Sequence, residues 1–446
     1  MLADRLKRLT FPGASTVAEN VLLVVLFVGV GRLVLRLEPV GGIAALVWPS
    51  SGLALATVLL RGYRLLPAVF VGSAIVMHGA GMPPLVVALG PCANTFETAL
   101  AAHAMRRFGG YRGSFDSLRH ASVLAVATVL ATGVAAVICS GTLILADVIS
   151  ARMSWRVVRA WWVGDLLGDL IVAPLVLSWA SPRTSTLSRA RSLEALVLGT
   201  ALVGACVAIF FREDIRYPFD TPYVFFPLFV WAAHRFGLRG ATTATAVVAA
   251  FAIWATVQGS GPFIEGTLSR SLLALQTFLG CAALTPLFVA GAVADRTAAV
   301  RVRDEFLAVA GHELRTPLAA MLMQIESLQR AMTKNPNVPV ADRIAKVASS
   351  GRRLERLIEQ LLDVTRITAG KLRLEPEPVD LGELVRDVVS RFTETSATVR
   401  SPIAVETDAE VRGCWDRARL DQVITNLLDN ALKYGHGKPV EVDVRA

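Results

Sequence analysis

Long apolar runs dominate the first two thirds of the chain, and a charged pattern replaces them after residue 294. Ten apolar segments can be drawn, each close to the roughly 20 residues that a helix needs to cross a bilayer. The third and eighth are short, so eight spans remain an alternative. The pattern predicts a polytopic α-helical membrane domain over residues 17–294, after a short segment of residues 1–16. The ten segments are 17–36, 43–60, 64–79, 84–105, 120–146, 158–179, 193–211, 220–235, 239–257 and 270–293.

Composition and charge support a membrane domain with both ends on the cytoplasmic side. Hydrophobic residues make up 54% of the chain and charged residues 18%, which is too apolar for an ordinary soluble protein. Cytoplasmic loops are enriched in Lys and Arg, and ten spans with the N-terminus inside place most arginines of this region there. Arg152, Arg156 and Arg159 go against that arrangement. The net charge of +9 therefore needs no nucleic-acid partner, and we expect none.

Three carboxylates fall where the pattern predicts hydrocarbon. Asp165 and Asp169 are four residues apart in "WWVGDLLGDL", which places them on one face of a helix. Gly164 and Gly168 beside them have the GxxxG spacing that permits close helix approach. Glu97 lies in a separate segment. Because an ionised carboxylate at this depth costs at least about 2.5 kcal/mol, Glu97, Asp165 and Asp169 are candidate sensing residues; a packing role is the alternative.

Four stretches of the apolar region resemble the MASE-type membrane-associated sensor domain. They are "VWPSSGLALATVLLRGYRLLPAVFVGS", "ANTFETALAAHAMRRFGG", "WWVGDLLGDLIVAPLVLSW" and "PLFVWAAHRFGLRGA". The resemblance covers about residues 17–294. It implies a sensory module in the bacterial inner membrane, surrounded by lipid and placed upstream of a signalling enzyme. It does not imply a ligand.

Residues 295–368 have the pattern of a linker helix followed by a helical hairpin. One apolar stripe recurs at helical spacing through Phe306, Val309, Ala310 and Leu314. A second helix is predicted from about residue 341 to 368, with its own stripe, after an Asn- and Pro-rich loop. A single hairpin cannot bury both stripes, so pairing into a four-helix bundle as a homodimer is the natural solution. The second stripe contains Leu354, Leu357, Ile358, Leu361, Leu362 and Val364.

The first of these helices contains "HELRTPL" at residues 312–318. A neutral imidazole is a nitrogen nucleophile near pH 7, and the carboxylate of Glu313 can accept the proton on the other ring nitrogen of His312. The segment resembles the phosphoacceptor box of sensor histidine kinases, with Gly311 in place of a common serine. The resemblance implies that His312 is phosphorylated and then serves the receiver domain of a response regulator. It also implies that Thr316 orients a water for dephosphorylation.

Residues 369–446 read as alternating strands and helices, which predicts part of an α/β ATP-binding sandwich. The helix "RLDQVITNLLDNALKYG" presents a polar face that resembles the asparagine box of the histidine-kinase ATP-binding domain. The resemblance implies that ATP and magnesium bind here: Asn430 on the metal, Asn426 and Lys433 on phosphate oxygens, and Tyr434 against the adenine. The opposite face is predicted to be core and contains Leu420, Val423, Ile424, Leu427, Ala431 and Leu432.

After this helix the expected glycine-rich motifs do not appear. The sequence therefore predicts a truncated ATP site, with an unpaired strand at residues 440–444. The leading interpretation is a homodimeric membrane sensor histidine kinase, a protein-histidine kinase by resemblance, with an incomplete ATP site in this chain. The alternative is a catalytically inactive membrane receptor or scaffold that another kinase phosphorylates on His312. A transporter is weaker, because the two halves show no obvious repeat.

Overall fold

The structure is a computed structural model that describes residues 14–37, 46–181, 188–211, 222–264, 267–334, 341–368, 374–408 and 410–445. It separates into two compact units, Met1–Arg303 and Asp304–Ala446. The first contains the apolar helices, and the second contains a helical hairpin and a small α/β region.

The first unit is built from long apolar helices joined by short connections. The helices are α1 (Ala14–Leu37), α2 (Pro49–Arg61), α3 (Leu66–Gly79), α4 (Pro84–Ala104), α5 (Leu118–Leu145), α6 (Ser154–Ala180), α7 (Arg189–Phe210), α8 (Phe225–Val257) and α9 (Leu268–Lys334), of which the part up to Arg303 belongs to this unit. Two large apolar cores lie between them, one around α6 to α9 and one around α1 to α6. The predicted polytopic helical architecture is confirmed.

The number of full-length spans differs from the ten that the sequence predicts. Seven helices among the described residues are long and apolar enough to cross a membrane. Helix α2 has only 13 residues, about 20 Å at 1.5 Å per residue, which is less than the roughly 30 Å of a hydrocarbon core. Helix α3 is similarly short at 14 residues. The segments 43–60 and 64–79 are therefore helical but shorter than a typical span.

Helix α8 accounts for the remaining difference, because it covers two predicted segments. Gly237, with φ +60° and ψ −147°, is not helical and interrupts it. A Cβ added to Gly240 would lie 2.6 Å from the carbonyl oxygen of Ala232. Eight residues of straight helix span about 12 Å, so the chain doubles back at Gly237. The predicted boundary between segments 220–235 and 239–257 lies at this reversal.

The predicted close approach at the GxxxG spacing is confirmed. Helix α2 packs against α6 so tightly that a Cβ on Gly52 would clash with the Gly168 backbone, and one on Gly168 with the Trp48 carbonyl. The amide of Trp48 donates a hydrogen bond to the carbonyl of Gly164 at 2.9 Å. The hydroxyl of Ser51 donates to the carbonyl of Asp165 at 3.1 Å. Glycine backbones thus let α2 dock on the turn of α6 that bears the two aspartates.

The second unit begins with the helical hairpin that the sequence predicts. Residues 304–334 form the part of α9 that lies in this unit, and α10 (Ala341–Thr368) follows. A Cβ on Gly351 would lie 3.8 Å from the Met321 methyl group, so the two helices face one another there. The predicted stripe residues Leu361, Leu362 and Val364 have side chains outside the described part of the structure.

The α/β region consists of strands β1 (Glu377–Asp380), β2 (Ile403–Thr407), β3 (Arg412–Trp415) and β4 (Val440–Val444) and helices α11 (Leu381–Ser390), α12 (Thr393–Val399) and α13 (Arg417–Tyr434). Strand β1 pairs antiparallel with β3, and β2 pairs parallel with β4. The expectation of an unpaired strand at residues 440–444 is therefore wrong. The helices bury Val388 and Leu428 in a common core with Val379 of β1.

The core face of α13 is also partly different from the prediction. Leu428 and Leu432 are buried, and Leu420 and Ile424 pack beside them. Val423 and Leu427 are exposed instead, with Leu427 64% accessible. The helix is rotated relative to the predicted stripe, because adjacent leucines at 427 and 428 satisfy the helical period on either of two faces.

Candidate functional site

The predicted phosphoacceptor lies on an accessible helix face. The side chain of His312 is 77% exposed, and that of Glu313 is 54% exposed. His312 Nδ1 lies 3.6 Å from Glu313 Oε1. This places the carboxylate beside Nδ1, where it favours a proton on that nitrogen and an unprotonated Nε2. The exposed Nε2 is thus the ring atom that another domain can reach.

The turn after His312 has a weakened hydrogen-bond ladder. The hydroxyl of Thr316 donates to the carbonyl oxygen of His312 at 3.2 Å, where it competes with the helix's own amide. Pro317 is buried and has no N–H, so it cannot bond the carbonyl of Glu313. Thr316 is therefore one turn from His312, as predicted, with its hydroxyl bonded to the main chain.

Apolar side chains remain exposed along the hairpin in the single chain. Between residues 304 and 358, seven large hydrophobic residues on α9 and α10 are 44–63% accessible. A monomeric soluble protein seldom exposes so many large hydrophobic side chains along one pair of helices. The predicted stripe is divided, since Phe306, Ala310 and Leu314 are partly covered whereas Val309 is not. The exposed residues are Leu307, Val309, Leu318, Leu322, Met323, Ile344 and Ile358.

The four candidate ATP-site residues share one exposed side of α13. Asn426, Asn430, Lys433 and Tyr434 are all exposed, at the i, i+4, i+7 and i+8 positions that align along a helix. The Lys433 ammonium lies 5.2 Å from the centre of the Tyr434 ring. Amide oxygens suit Mg²⁺ and an ammonium suits phosphate. The donor set therefore fits the metal and phosphate end of a nucleotide.

Asp416 caps α13 and fixes where this polar face begins. Its Oδ1 accepts a hydrogen bond from the Arg419 amide at 3.0 Å, as an N-cap aspartate does. Its Oδ2 accepts one from the Glu375 amide at 3.1 Å. These backbone donors, that of Glu375 foremost, lower the pKa of the Asp416 carboxyl below its ordinary value. One carboxylate thus joins α13 to the segment before β1.

The structure brings the three membrane carboxylates together. Glu97 on α4 is 3% exposed, and Asp169 on α6 is 1% exposed. Asp165 lines a small cavity together with Glu97. The Oδ1 atom of Asp169 is buried and has no hydrogen-bond partner among the described residues. Three acidic side chains from two helices therefore share one interior region, which the sequence alone indicated only for the pair on α6.

A larger cavity of about 90 Å³ opens beside this cluster. Asp165 lines both cavities, so it lies between the buried carboxylates and the larger space. Sequence reasoning missed the two indoles that line it, Trp48 and Trp161. Trp48 precedes α2 and Trp161 lies one turn before Asp165, and the "VWPSS" and "WWVGD" stretches are the only signal that pointed to them. The wall also contains Leu35, Val76, Met77, Ala80, Met82, Val86, Asn94 and Gly164.

Comparisons with known protein families match both parts of the chain. The MASE1 family model matches residues 20–297, which include every membrane carboxylate described above. The model of the His Kinase A (phospho-acceptor) domain matches residues 302–370, which include His312, Glu313 and Thr316.

Curated relatives match about a third of the chain. The signal transduction histidine-protein kinase AfsQ2 of Streptomyces coelicolor is 37% identical over 34% of this chain and 29% of its own length. The probable sensor histidine kinase TcrY of Mycobacterium tuberculosis is 40% identical over 32% of this chain and 29% of its own. The chain thus spans less than a third of either. The solved structure of the Acinetobacter baumannii histidine kinase AdeS matches 30% of this chain and 66% of its own at 22% identity and a TM-score of 0.27.

The MASE1 match covers more than half of the chain, and the phosphoacceptor match follows it directly. The chain belongs to the MASE1 family of membrane sensor domains and joins that domain to a His Kinase A phosphoacceptor domain.

Proposed function

We propose that this chain is the sensing and phosphoaccepting part of a homodimeric sensor histidine kinase. The observation that carries the proposal is His312, which is 77% exposed within the phosphoacceptor match and has Glu313 beside its Nδ1. Nε2 must be exposed, because the ATP-binding domain and then the receiver domain of the response regulator must each reach it. The membrane unit would detect the stimulus, and phosphorylation of His312 would be the chemical response.

The reaction at His312 follows from its tautomer. The Nε2 lone pair attacks the γ-phosphorus of ATP, a nitrogen–phosphorus bond forms, and the bond to the bridging oxygen of the departing ADP breaks. Positive charge develops on the ring, and the proton on Nδ1 is held toward Glu313, which stabilises that charge. In the next step a receiver-domain aspartate of a response regulator accepts the phosphoryl group from Nε2. By family resemblance, Thr316 serves the reverse reaction by orienting a water.

The polar side of α13 would hold the phosphate end of ATP. Asn430 offers an amide oxygen to Mg²⁺, and Asn426 and Lys433 lie within one turn on either side. Phosphoryl transfer relies almost wholly on positioning and charge stabilisation. These residues offer positive charge and metal ligation but do not read the base, apart from the ring of Tyr434. We therefore propose that the 446-residue chain does not label itself with ATP and magnesium.

A homodimer would cover the exposed apolar residues of the hairpin. Two copies supply four helices, and the residues uncovered in one chain would form the centre of the bundle. In such a bundle His312 would lie on the outer surface, because it is exposed on a different face of the helix from the partly covered Phe306 and Ala310. Lipid chains would cover the apolar exterior of the membrane unit.

We propose that both ends of the chain lie in the cytoplasm. Arg64 bonds Glu19 at 3.0 Å, which joins the start of α1 to the end of α2. Arg106 stacks over Tyr63 at 4.5 Å, which adds the end of α4 to the same side. This clustering of arginines at one end supports the inside-positive assignment. In a cysteine-free variant, Ser114→Cys should react with an impermeant maleimide only from the cytoplasmic side.

Phosphorylation in trans tests the proposed function. Membranes containing this chain are incubated with radiolabelled ATP, magnesium and a subunit of the same family that has a complete ATP-binding domain. We expect an acid-labile label that His312→Gln abolishes and that His436→Gln, a matched change at an exposed histidine of the α/β region, leaves intact.

Two results separate the alternatives. Strong labelling of this chain alone would contradict the proposed lack of self-labelling. Labelling that survives His312→Gln would contradict the phosphoacceptor assignment. A receptor or scaffold predicts that only unrelated kinases label His312, whereas a kinase subunit predicts labelling within a heterodimer.

A further inference from the structure

We propose that the cavity between α1, α3, α4 and α6 binds a small organic ammonium ion, with Asp165 as its counter-ion. The proposal deepens the sensing role proposed above and rests on it. The observation that carries it is the combination of one carboxylate and two indoles in an otherwise apolar cavity. An ammonium ion is the ligand class for which these three groups are complementary.

The carboxylate of Asp165 is available to a ligand. It lines the cavity, and it has no hydrogen-bond or ion-pair partner among the described residues. Ser51 lines the smaller cavity together with Asp165, and its hydroxyl donates to the main-chain carbonyls of Trp48 and Asp165. A charged group that is half-buried without a partner is costly in a membrane protein, and a cation supplied from outside would offset that cost.

A second acceptor lies in the same wall. The amide nitrogen of Asn94 donates to the Ser73 hydroxyl at 3.0 Å, which fixes the orientation of the amide. Its oxygen lies 3.9 Å from the Cys139 sulfur, a weak donor. Asn94 therefore has acceptor capacity left, and Asp165 has only acceptors. The polar part of the cavity calls for a ligand that donates hydrogen bonds or carries positive charge.

The apolar part of the wall favours an organic cation over an inorganic one. Eight of the lining side chains are hydrocarbon, thioether or indole, and none of the described lining residues is basic. Hydrated metal ions need several oxygen ligands, and among the described residues no group of three or more His, Cys, Asp or Glu side chains is arranged so that it could hold a metal ion. Indole rings attract alkylammonium groups through their negative faces. A neutral ligand would leave Asp165 unpaired.

The size of the cavity limits the ligand. One water needs about 10–15 Å³ of such space, so about 90 Å³ holds a ligand equivalent to several waters. A monocation with a short apolar substituent thus fits the charge, the wall and the volume together.

Calorimetric titration of the full chain in a maltoside detergent tests the proposal, since that detergent contains no ammonium group. The probes are butylammonium and choline. The control ligand is 3,3-dimethylbutan-1-ol, the neutral isostere of choline. We expect heat of binding from at least one ammonium and none from the alcohol. Asp165→Asn should weaken binding by about tenfold or more, whereas Asp147→Asn, the same change on an exposed residue outside the cavity, should not.

Further measurements keep the result interpretable. Thermal unfolding of each variant shows whether it is folded, and Trp161→Leu replaces Asp165→Asn if the latter is not. Equal binding of choline and its isostere would overturn the proposal. So would unchanged binding to a folded Asp165→Asn or Trp161→Leu variant, or sodium chloride that displaces the probe at equal concentration. Because binding is measured without ATP, failure of labelling at His312 leaves this test unaffected.

Discussion

The tight contact between α2 and α6 makes Gly168→Ala a severe change for one methyl group. A Cβ at this position would lie 2.6 Å from the Ser51 hydroxyl and 2.7 Å from the Trp48 carbonyl carbon. Comfortable contacts between such atoms lie near 3.5–4.0 Å. The obstacle includes main chain, which cannot rotate aside, so the two helices must separate by about 1 Å.

The expected cost follows from that separation. Overpacking of this kind costs about 1–3 kcal/mol. The Trp48–Gly164 hydrogen bond of 2.9 Å and the Ser51–Asp165 bond of 3.1 Å would both stretch beyond useful length, at about 0.5–1.5 kcal/mol each. Alanine regains up to about 1 kcal/mol of helix propensity. The net loss in the free energy of unfolding is therefore about 1–5 kcal/mol.

Gly204→Ala on α7 is the matched control. No atom lies within 4 Å of its added Cβ, so the propensity gain should dominate and stability should stay equal or rise slightly. Thermal aggregation of detergent-purified protein, together with abundance in membranes, measures both variants. A Gly168→Ala protein as stable as the parent, or a Gly204→Ala protein equally damaged, would refute the argument from backbone contact.

Three further predictions concern the second unit. Leu428→Ala should destabilise the α/β region by about 2–5 kcal/mol, whereas Leu427→Ala should change its stability by less than about 0.5 kcal/mol. Chemical denaturation measures both variants, and the opposite order would mean that Leu427 is the buried residue, as the sequence predicted. Ile358→Cys should cross-link between chains in membranes and Glu359→Cys should do so poorly, and a lack of cross-linking at both would contradict the proposed bundle. Asp416 has a lowered folded pKa, so its contribution to stability is complete above its ordinary value of 3.8 and is lost as pH falls through the folded pKa. Asp416→Asn should therefore reduce the loss of stability on acidification, and an unchanged pH profile would contradict the role of this cap.

The sequence predicted the features that depend on local spacing. The GxxxG pair sets a contact that any helix with those residues can make, and "HELRTPL" places His312 and Glu313 side by side through chain connectivity alone. Helix α13 was predicted in extent but not in rotation. Leu427 and Leu428 are neighbours, and only the packing partners from β1 and α11 decide which of them is buried.

The remaining features depend on contacts between distant parts of the chain. Strand β4 pairs with β2 in parallel, a non-local pairing that the alternation of its residues does not specify. The wall of the cavity at Asp165 includes Trp48, which precedes α2 and lies more than a hundred residues earlier in the sequence. No periodicity within one helix indicates which neighbours it will meet.

The helix can bend at Pro317, where its backbone hydrogen bonds are weakened, so this turn is a pivot for the residues that follow it. Seventeen residues separate Pro317 from Lys334, the end of the helix, which is about 26 Å at 1.5 Å per residue. A bend of about 10° at the proline, where helices bend most easily, would move that far end sideways by about 4.5 Å. The same bend barely displaces His312, because the histidine lies one turn from the pivot. A small deformation at the reactive turn is thus converted into a displacement about the width of a side chain at the hairpin tip.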